Sequence, residues 1–147
     1  MQVIKRSGRK ESVSFDKITA RIKKMCYGLD SDYLNHIEIS QKVVQGLYDG
    51  VTTSELDNLA AETAASLATE HPEYATLAAR LAVSNLHKNT KKSFAATMKD
   101  LYDYIDPKTN QSAGLISDKI MKIIEANADR IDSAIICLLY TSDAADE

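Results

Sequence analysis

Lys5 and Arg6 stand just ahead of a Ser7-Gly8-Arg9 turn, and Glu11-Ser12-Val13-Ser14-Phe15 follows it with alternating character. A basic helix then begins around Asp16-Lys17. Backbone N–H groups at a helix start, with lysines beside them, suit phosphate oxygens. Val13, Phe15 and Ile18 offer an apolar wall to a heterocyclic base. Thr53 and Asp57 lie one turn apart on a later helix and offer polar contacts. The plainer account of that pair is a helix-capping threonine and an acid that a first helical turn favours. The chemistry on offer is the binding of an anionic small molecule.

Catalytic chemistry has less to draw on. His36, His71 and His87 are far apart, lack metal-ligand spacing, and read as surface or capping histidines. There is no G-x-S-x-G, no P-loop and no G-x-G-x-x-G. Cys26 falls on the apolar face of its helix and reads as core rather than nucleophile. Cys26 and Cys137 together make neither a disulfide framework nor a four-ligand zinc site.

The elements that must position these residues are legible in the periodicity. Val3-Ile4 and residues 11–15 flank a turn in which Gly8 supplies positive φ, which predicts a hairpin carrying Lys5-Arg6 on its first strand. Asp16 reads as the N-cap of a helix with Ile18, Ile22, Cys26 and Leu29 on one face, closed by Gly28. Ile39, Val43, Val44 and Leu47 predict a second helix ending near Asp49-Gly50. Val51-Thr52 could add a third strand, and Thr52 with Glu55 fits a capping box. That box opens a helix running from Leu56 to about Thr69.

Pro72 sits at the first turn of the longest pattern, Leu77, Ala78, Leu81, Ala82, Asn85 and Leu86. Lys88, Lys91 and Lys92 crowd its end, where a helix dipole favours cations. Beyond residue 92 the character changes. Phe94, Met98, Leu101, Tyr102 and Ile105 form a stripe, Asp106-Pro107-Lys108 breaks it, and Ser117 caps a helix ending near Asn127. The fold class expected is α+β and mainly helical.

Composition sets the outer bounds. The chain has 147 residues, 44% hydrophobic and 27% charged, room for one domain or little more. No apolar run approaches the roughly 18 residues of a membrane span, and the charged start is no signal peptide. A reducing, cytoplasmic setting is expected. The net charge of −3 hides a basic N-terminal end and an acid-rich end after Lys99. This asymmetry points to a local anion site or, equally, to two solvated faces.

Val3-Ile4-Lys5-Arg6-Ser7-Gly8-Arg9 and Val13-Ser14-Phe15-Asp16-Lys17-Ile18 resemble the opening of an ATP-cone. Residues 46–57 resemble its next block, and residues 59–65 and 78–88 complete it. The whole is similar to the start of the large subunit of class I ribonucleotide reductases of eukaryotic type, in order and collinear over residues 1–136. The resemblance implies a four-helix bundle capped by a small three-stranded sheet over residues 1–92. Helices from the start of the catalytic subunit would follow over 93–136. Residues 137–147 depart from the family pattern and read as a non-native tail.

The resemblance also implies a ligand. It is ATP or dATP, with Mg2+, at an overall-activity site where ATP activates and dATP inhibits by driving oligomers. Contacts carry over to Lys5, Arg6, Glu11, Ser12, Val13, Ser14, Phe15, Asp16, Lys17, Thr53, Asp57 and Lys88. The lysines and Arg6 suit phosphates, and the anionic Asp57 suits the ribose or base. Partners implied are other large subunits and the small radical-generating subunit, with neither nucleic acid nor membrane. The parent activity is an oxidoreductase that makes deoxyribonucleotides. Its catalytic cysteines lie downstream in the family, so this chain is expected to be inactive alone. The alternatives are an ATP-cone sensor of a transcriptional repressor, which would carry a zinc ribbon ahead of the cone, and a helical interaction or nucleic-acid module.

Overall fold

The computed structural model describes residues 1–136, so the expectation of a foreign tail over 137–147 lies outside the described residues. Those residues divide into two compact units, Met1–Leu86 and the chain from His87 onward.

The first unit opens with a three-stranded mixed sheet of order β2-β1-β3. β1 (Gln2–Ile4) pairs antiparallel with β2 (Lys10–Ser12) and parallel with β3 (Val51–Thr52). Val3 lies opposite Glu11 on one side and Val51 on the other, and both valines are buried. Gly8 takes φ 79° in the turn, where a residue with a Cβ would be strained. The Lys5 N–H donates to the Arg9 carbonyl and the Gly8 N–H to the Lys5 carbonyl, each at 2.8 Å. The strands are therefore shorter than the alternation predicts. Lys5 and Arg6 stand in the turn, not on β1.

β2 stops at Ser12 because Ser14 starts a helix. Ser14 has extended backbone, and its hydroxyl accepts the Lys17 N–H at 3.4 Å. This makes Ser14 the N-cap of α1 (Phe15–Met25) and places Asp16, the expected cap, inside the first turn. The helix also ends before Gly28, with Cys26 as its C-cap. Gly28 follows two residues past that cap with φ 68°, the left-handed turn expected of it. The Arg80 guanidinium adds to this end, donating to the carbonyls of Met25 at 3.1 Å and Tyr27 at 2.6 Å and lying 4.1 Å from the centre of the Tyr27 ring.

α2 (His36–Gln45) is capped by Asn35, whose side chain accepts the N–H groups of Ile37 and Glu38, and it closes at Gly46, short of the expected end near Asp49-Gly50. α3 (Thr53–Ser66) follows β3 without a break. The capping box is present: the Thr52 hydroxyl accepts the Glu55 N–H at 3.1 Å, and the Glu55 carboxylate accepts the Thr52 N–H at 2.8 Å. This helix ends at Ser66, before the expected Thr69. α4 (Glu73–Asn89) starts just after Pro72. His71 acts as a capping histidine there, its Nδ1 accepting the Glu73 N–H at 3.3 Å while its ring stacks on Tyr33.

The four helices enclose one core. Ile22, Ile39, Val43, Leu77 and Leu81 are fully buried, with Leu34, Ala60, Ala64, Leu67, Tyr74 and Ala78 around them. Each large aliphatic contributes about 1.5–3 kcal/mol by leaving water. Cys26 packs against this core, its thiol donates to the Ile22 carbonyl at 3.4 Å, and burial pushes its pKa up. That is the behaviour of a core residue.

The second unit holds α5 (Phe94–Tyr102), α6 (Asp118–Ala126) and α7 (Ala128–Ala134). α5 stops at Tyr102, so Ile105 falls outside it and forms an isolated bridge with Ser112. The Asp106 carboxylate accepts from the Lys108 N–H and the Thr109 hydroxyl, the turn that its sequence predicts. Ser117 caps α6 as expected, and α7 was not foreseen from its weak apolar pattern. Only Met121 and Ile124 of these three helices are buried.

Candidate functional site

Two clusters gather half of the twelve contact residues carried over above. The deeper one is centred on Asp57, which projects from the second turn of α3 and is 7% exposed. Two guanidinium groups hold its carboxylate. Arg6 Nη2 lies 3.0 Å from Oδ2, and Arg21 Nε lies 3.2 Å from Oδ1. Arg6 reaches across from the hairpin turn, and Arg21 stands on α1. The sequence separation of the first pair is 51 residues, and the sheet closes that distance by pairing β1 beside β3.

Each arginine is tied down by a further contact. Arg6 Nη1 donates to Thr53 Oγ1 at 3.4 Å, and Arg6 Nη2 also meets Asn85 Oδ1 on α4. Arg21 Nη2 donates to Ser84 Oγ at 2.8 Å. The Asn85 amide donates to Asn58 Oδ1 at 2.6 Å and to the Ser54 carbonyl at 3.3 Å. The Ser54 hydroxyl donates to Asn85 Oδ1 at 3.2 Å. A buried charge survives only when it is paired and hydrogen-bonded, and this network meets that requirement. Among the described residues no buried side-chain polar atom lacks a partner.

The second cluster lies on the sheet edge. Glu11 on β2 draws in Lys5 at 3.2 Å, Lys17 at 3.5 Å and Arg9. Its carboxyl is held below the ordinary range, first by the hydrogen bond from Lys5, then by the charges of Lys5 and Lys17 and the bond from Arg9. Three cations therefore converge on the half-buried Glu11 carboxylate, with Arg9 and Lys17 exposed around it. Ser12 ends β2, Ser14 caps α1, and Asp16 and Lys17 occupy its first turn. Of the expected apolar wall, Phe15 is 55% exposed at the head of α1, whereas Ile18 turns inward onto the core. Lys88 lies in the last turn of α4.

The structure thus joins Arg6, Thr53 and Asp57 directly, and joins Lys5, Glu11 and Lys17 directly. Sequence reasoning missed Arg21, Ser54, Asn58, Ser84 and Asn85. A signal was present. Asn85 continues the buried line of Leu77 and Leu81 on α4, and Asp57 continues that of Ala60 and Ala64 on α3. A polar residue in a core stripe needs partners, and two such residues on neighbouring helices point to a shared network.

Among the described residues no group of His, Cys, Asp and Glu could hold a metal ion, and no helix is long and apolar enough to cross a membrane. The chain is 60% identical over 136 residues to the ribonucleoside-diphosphate reductase large chain of Schizosaccharomyces pombe. It is 59% and 57% identical, over the same length, to the large subunits from Danio rerio and Arabidopsis thaliana. Each alignment takes in 92% of this chain but only 17% of the relative. The family model described as the ATP cone domain matches residues 1–89, more than half of the chain. With that match, and with four helices and a small mixed sheet built from the same residues, the chain belongs to the ATP-cone domain family.

Proposed function

We propose that this chain is the adenine-nucleotide-sensing module of a ribonucleoside-diphosphate reductase large subunit. In this reading residues 1–92 bind ATP or dATP, with Mg2+. Lys5, Arg6, Lys17 and Lys88 meet the phosphates, the segment from Glu11 to Lys17 frames the ligand, and Thr53 and Asp57 meet the ribose or base. ATP keeps the parent enzyme active, and dATP shuts it down by promoting oligomers of the large subunit. The parent enzyme makes deoxyribonucleotides with a small radical-generating subunit in the cytoplasm. Residues 93–136 lead toward its catalytic body.

The observation that carries this reading is the meeting of Arg6, Thr53 and Asp57 in one half-buried place, next to a sheet edge where Lys5, Arg9 and Lys17 converge. A cationic edge beside a hydroxyl and a carboxylate matches the two ends of a nucleotide: phosphates at one, sugar hydroxyls at the other.

Calorimetric titration of the 147-residue chain with ATP and dATP tests it. Saturable one-site binding of both, with GTP and CTP much weaker, is expected. Absence of binding, or a salt-dependent affinity for DNA in its place, would overturn the reading. The same chain, mixed with a small subunit and a thiol reductant, should show no turnover of a ribonucleoside diphosphate.

A further inference from the structure

Glu11 stands where the cations of the sheet edge meet. Its Oε2 lies 3.2 Å from Lys5 Nζ and 3.5 Å from Lys17 Nζ, and its Oε1 meets Arg9 Nη2. The fold fixes this meeting. Glu11 is paired opposite Val3 on the sheet, the Lys5 N–H bond to the Arg9 carbonyl closes the turn beside it, and Lys17 rises from the first turn of α1. The Glu11 carboxyl is held below the ordinary 4.5, first by the Lys5 hydrogen bond, so its charge is present at neutral pH. A phosphate settling on Lys5 or Lys17 would therefore lie beside a negative charge.

We propose that Glu11 is a specificity-determining residue of the nucleotide site, one that limits how strongly the site reads phosphate charge; the inference rests on the function proposed above. Lys5, Arg9 and Lys17 alone would make an edge that holds any polyanion. Glu11 cancels part of that charge and repels each phosphate placed there. No side chain has to move for this, since the effect is one of charge. The repulsion grows with the charge of the ligand, so it weakens a triphosphate more than a diphosphate. ATP and dATP carry the same phosphates and feel it equally. A site restrained in this way draws more of its selectivity from the base and sugar, and it releases its ligand more readily.

A residue that only organised the edge would lower affinity when replaced, and would do so for every nucleotide. A residue that opposes phosphate charge must do the reverse, in proportion to that charge. ATP, dATP and ADP are titrated with excess Mg2+ into the full 147-residue chain as wild type, Glu11→Gln and Glu70→Gln. Glu70 is exposed beyond the C-terminal end of α3, about 20 Å along the helix axis from Thr53, so its loss changes the net charge equally but away from the edge. Folding is checked by circular dichroism. Glu11→Gln should bind ATP and dATP tighter by the same factor, about threefold or more, and ADP tighter by less.

The gain should shrink as salt is raised, and Glu70→Gln should leave all three affinities unchanged. Glu11→Thr is also neutral and suits an edge strand, so it decides the matter if Glu11→Gln does not fold. Unchanged or weaker ATP binding in the folded Glu11 variants overturns the role of Glu11. So does a gain equal for ATP and ADP, or the same gain in Glu70→Gln. A wild-type chain that binds neither ATP nor dATP overturns the underlying function instead.

Discussion

Arg6 and Asp57 form an ion pair of 3.0 Å across the first unit, with the Asp57 side chain 9% exposed and that of Arg6 26% exposed. The pair ties the hairpin turn to α3 at the candidate site. Arg6→Ala should therefore do two things at once. It should cost about 1–3 kcal/mol of stability, because a buried carboxylate loses one of its charged partners. It should also weaken ATP and dATP together, since a phosphate contact is common to both. Urea unfolding and calorimetry on the same variant measure the two effects, and a loss of stability with unchanged affinity would place Arg6 outside the site.

Asp57→Asn and Lys88→Ala should separate sugar from phosphate recognition. Lys88→Ala removes a cation, and its loss should be similar for both nucleotides, about 1–3 kcal/mol for a charge-assisted bond. Asp57→Asn keeps the shape but replaces an acceptor with a donor, so it should change the ATP-to-dATP ratio more than the mean affinity. If Lys88→Ala changes the ratio and Asp57→Asn does not, the two roles are reversed.

Much of this was legible in the residues, for identifiable reasons. The capping box needed only Thr52 and Glu55 three apart, a local rule, and it holds. The helical stripes held because their apolar spacing is strong. Two local signals competed at the start of α1, where Ser14 caps the helix two residues ahead of Asp16. At its other end Gly28 takes the positive φ read for it, two residues past the Cys26 cap. At the site, the resemblance supplied Arg6, Thr53 and Asp57 as separate contacts, but not that they touch. That contact depends on β1 pairing in parallel with Val51-Thr52; the strand itself was legible from its β-forming residues, its partner and direction were not. Arg21 was missed because nothing in α1 alone reveals the carboxylate opposite.

The capping box sets a measurable stability. Thr52→Ala should cost about 0.5–2 kcal/mol. The Glu55 carboxyl is held below its ordinary value of 4.5, first by the Thr52 N–H, then by the Thr52 hydroxyl and by Tyr48. A depressed carboxyl contributes stability above its unfolded value and loses it as pH falls through the folded one. Glu55→Gln should therefore be less stable than wild type near neutral pH, with the difference vanishing in acid below 4.5. A difference that persists in strong acid would assign the effect to packing.

Asp132 plays a similar part in the second unit. It projects from α7 and accepts from the Ser93 hydroxyl at 2.6 Å and the Ala95 N–H at 2.9 Å, which closes the start of α5. The Ser93 bond first, and the backbone N–H groups after it, hold its carboxyl below the ordinary 3.8. Asp132→Ala should speed amide exchange in α5 while leaving α1 to α4 protected. We also expect residues 93–136 of the wild type to exchange faster than residues 1–92, because Leu115, Ile120 and Ile123 stay exposed and few side chains are buried there. Equal protection in both segments would contradict this.

The parallel pairing of β1 with β3 imposes an order on synthesis. The hairpin can close as soon as Ser12 has emerged, because Gln2 lies opposite it. Val3 must wait for Val51, with α1 and α2 made in between. On a ribosome adding about 5–20 residues each second, that wait is long beside the microseconds in which a hairpin forms. Throughout it Arg6 is present and Asp57 is not. A nascent chain therefore cannot assemble the Arg6–Asp57 pair piecemeal, and capture of a nucleotide would report that the first strand made has found the last one of its sheet.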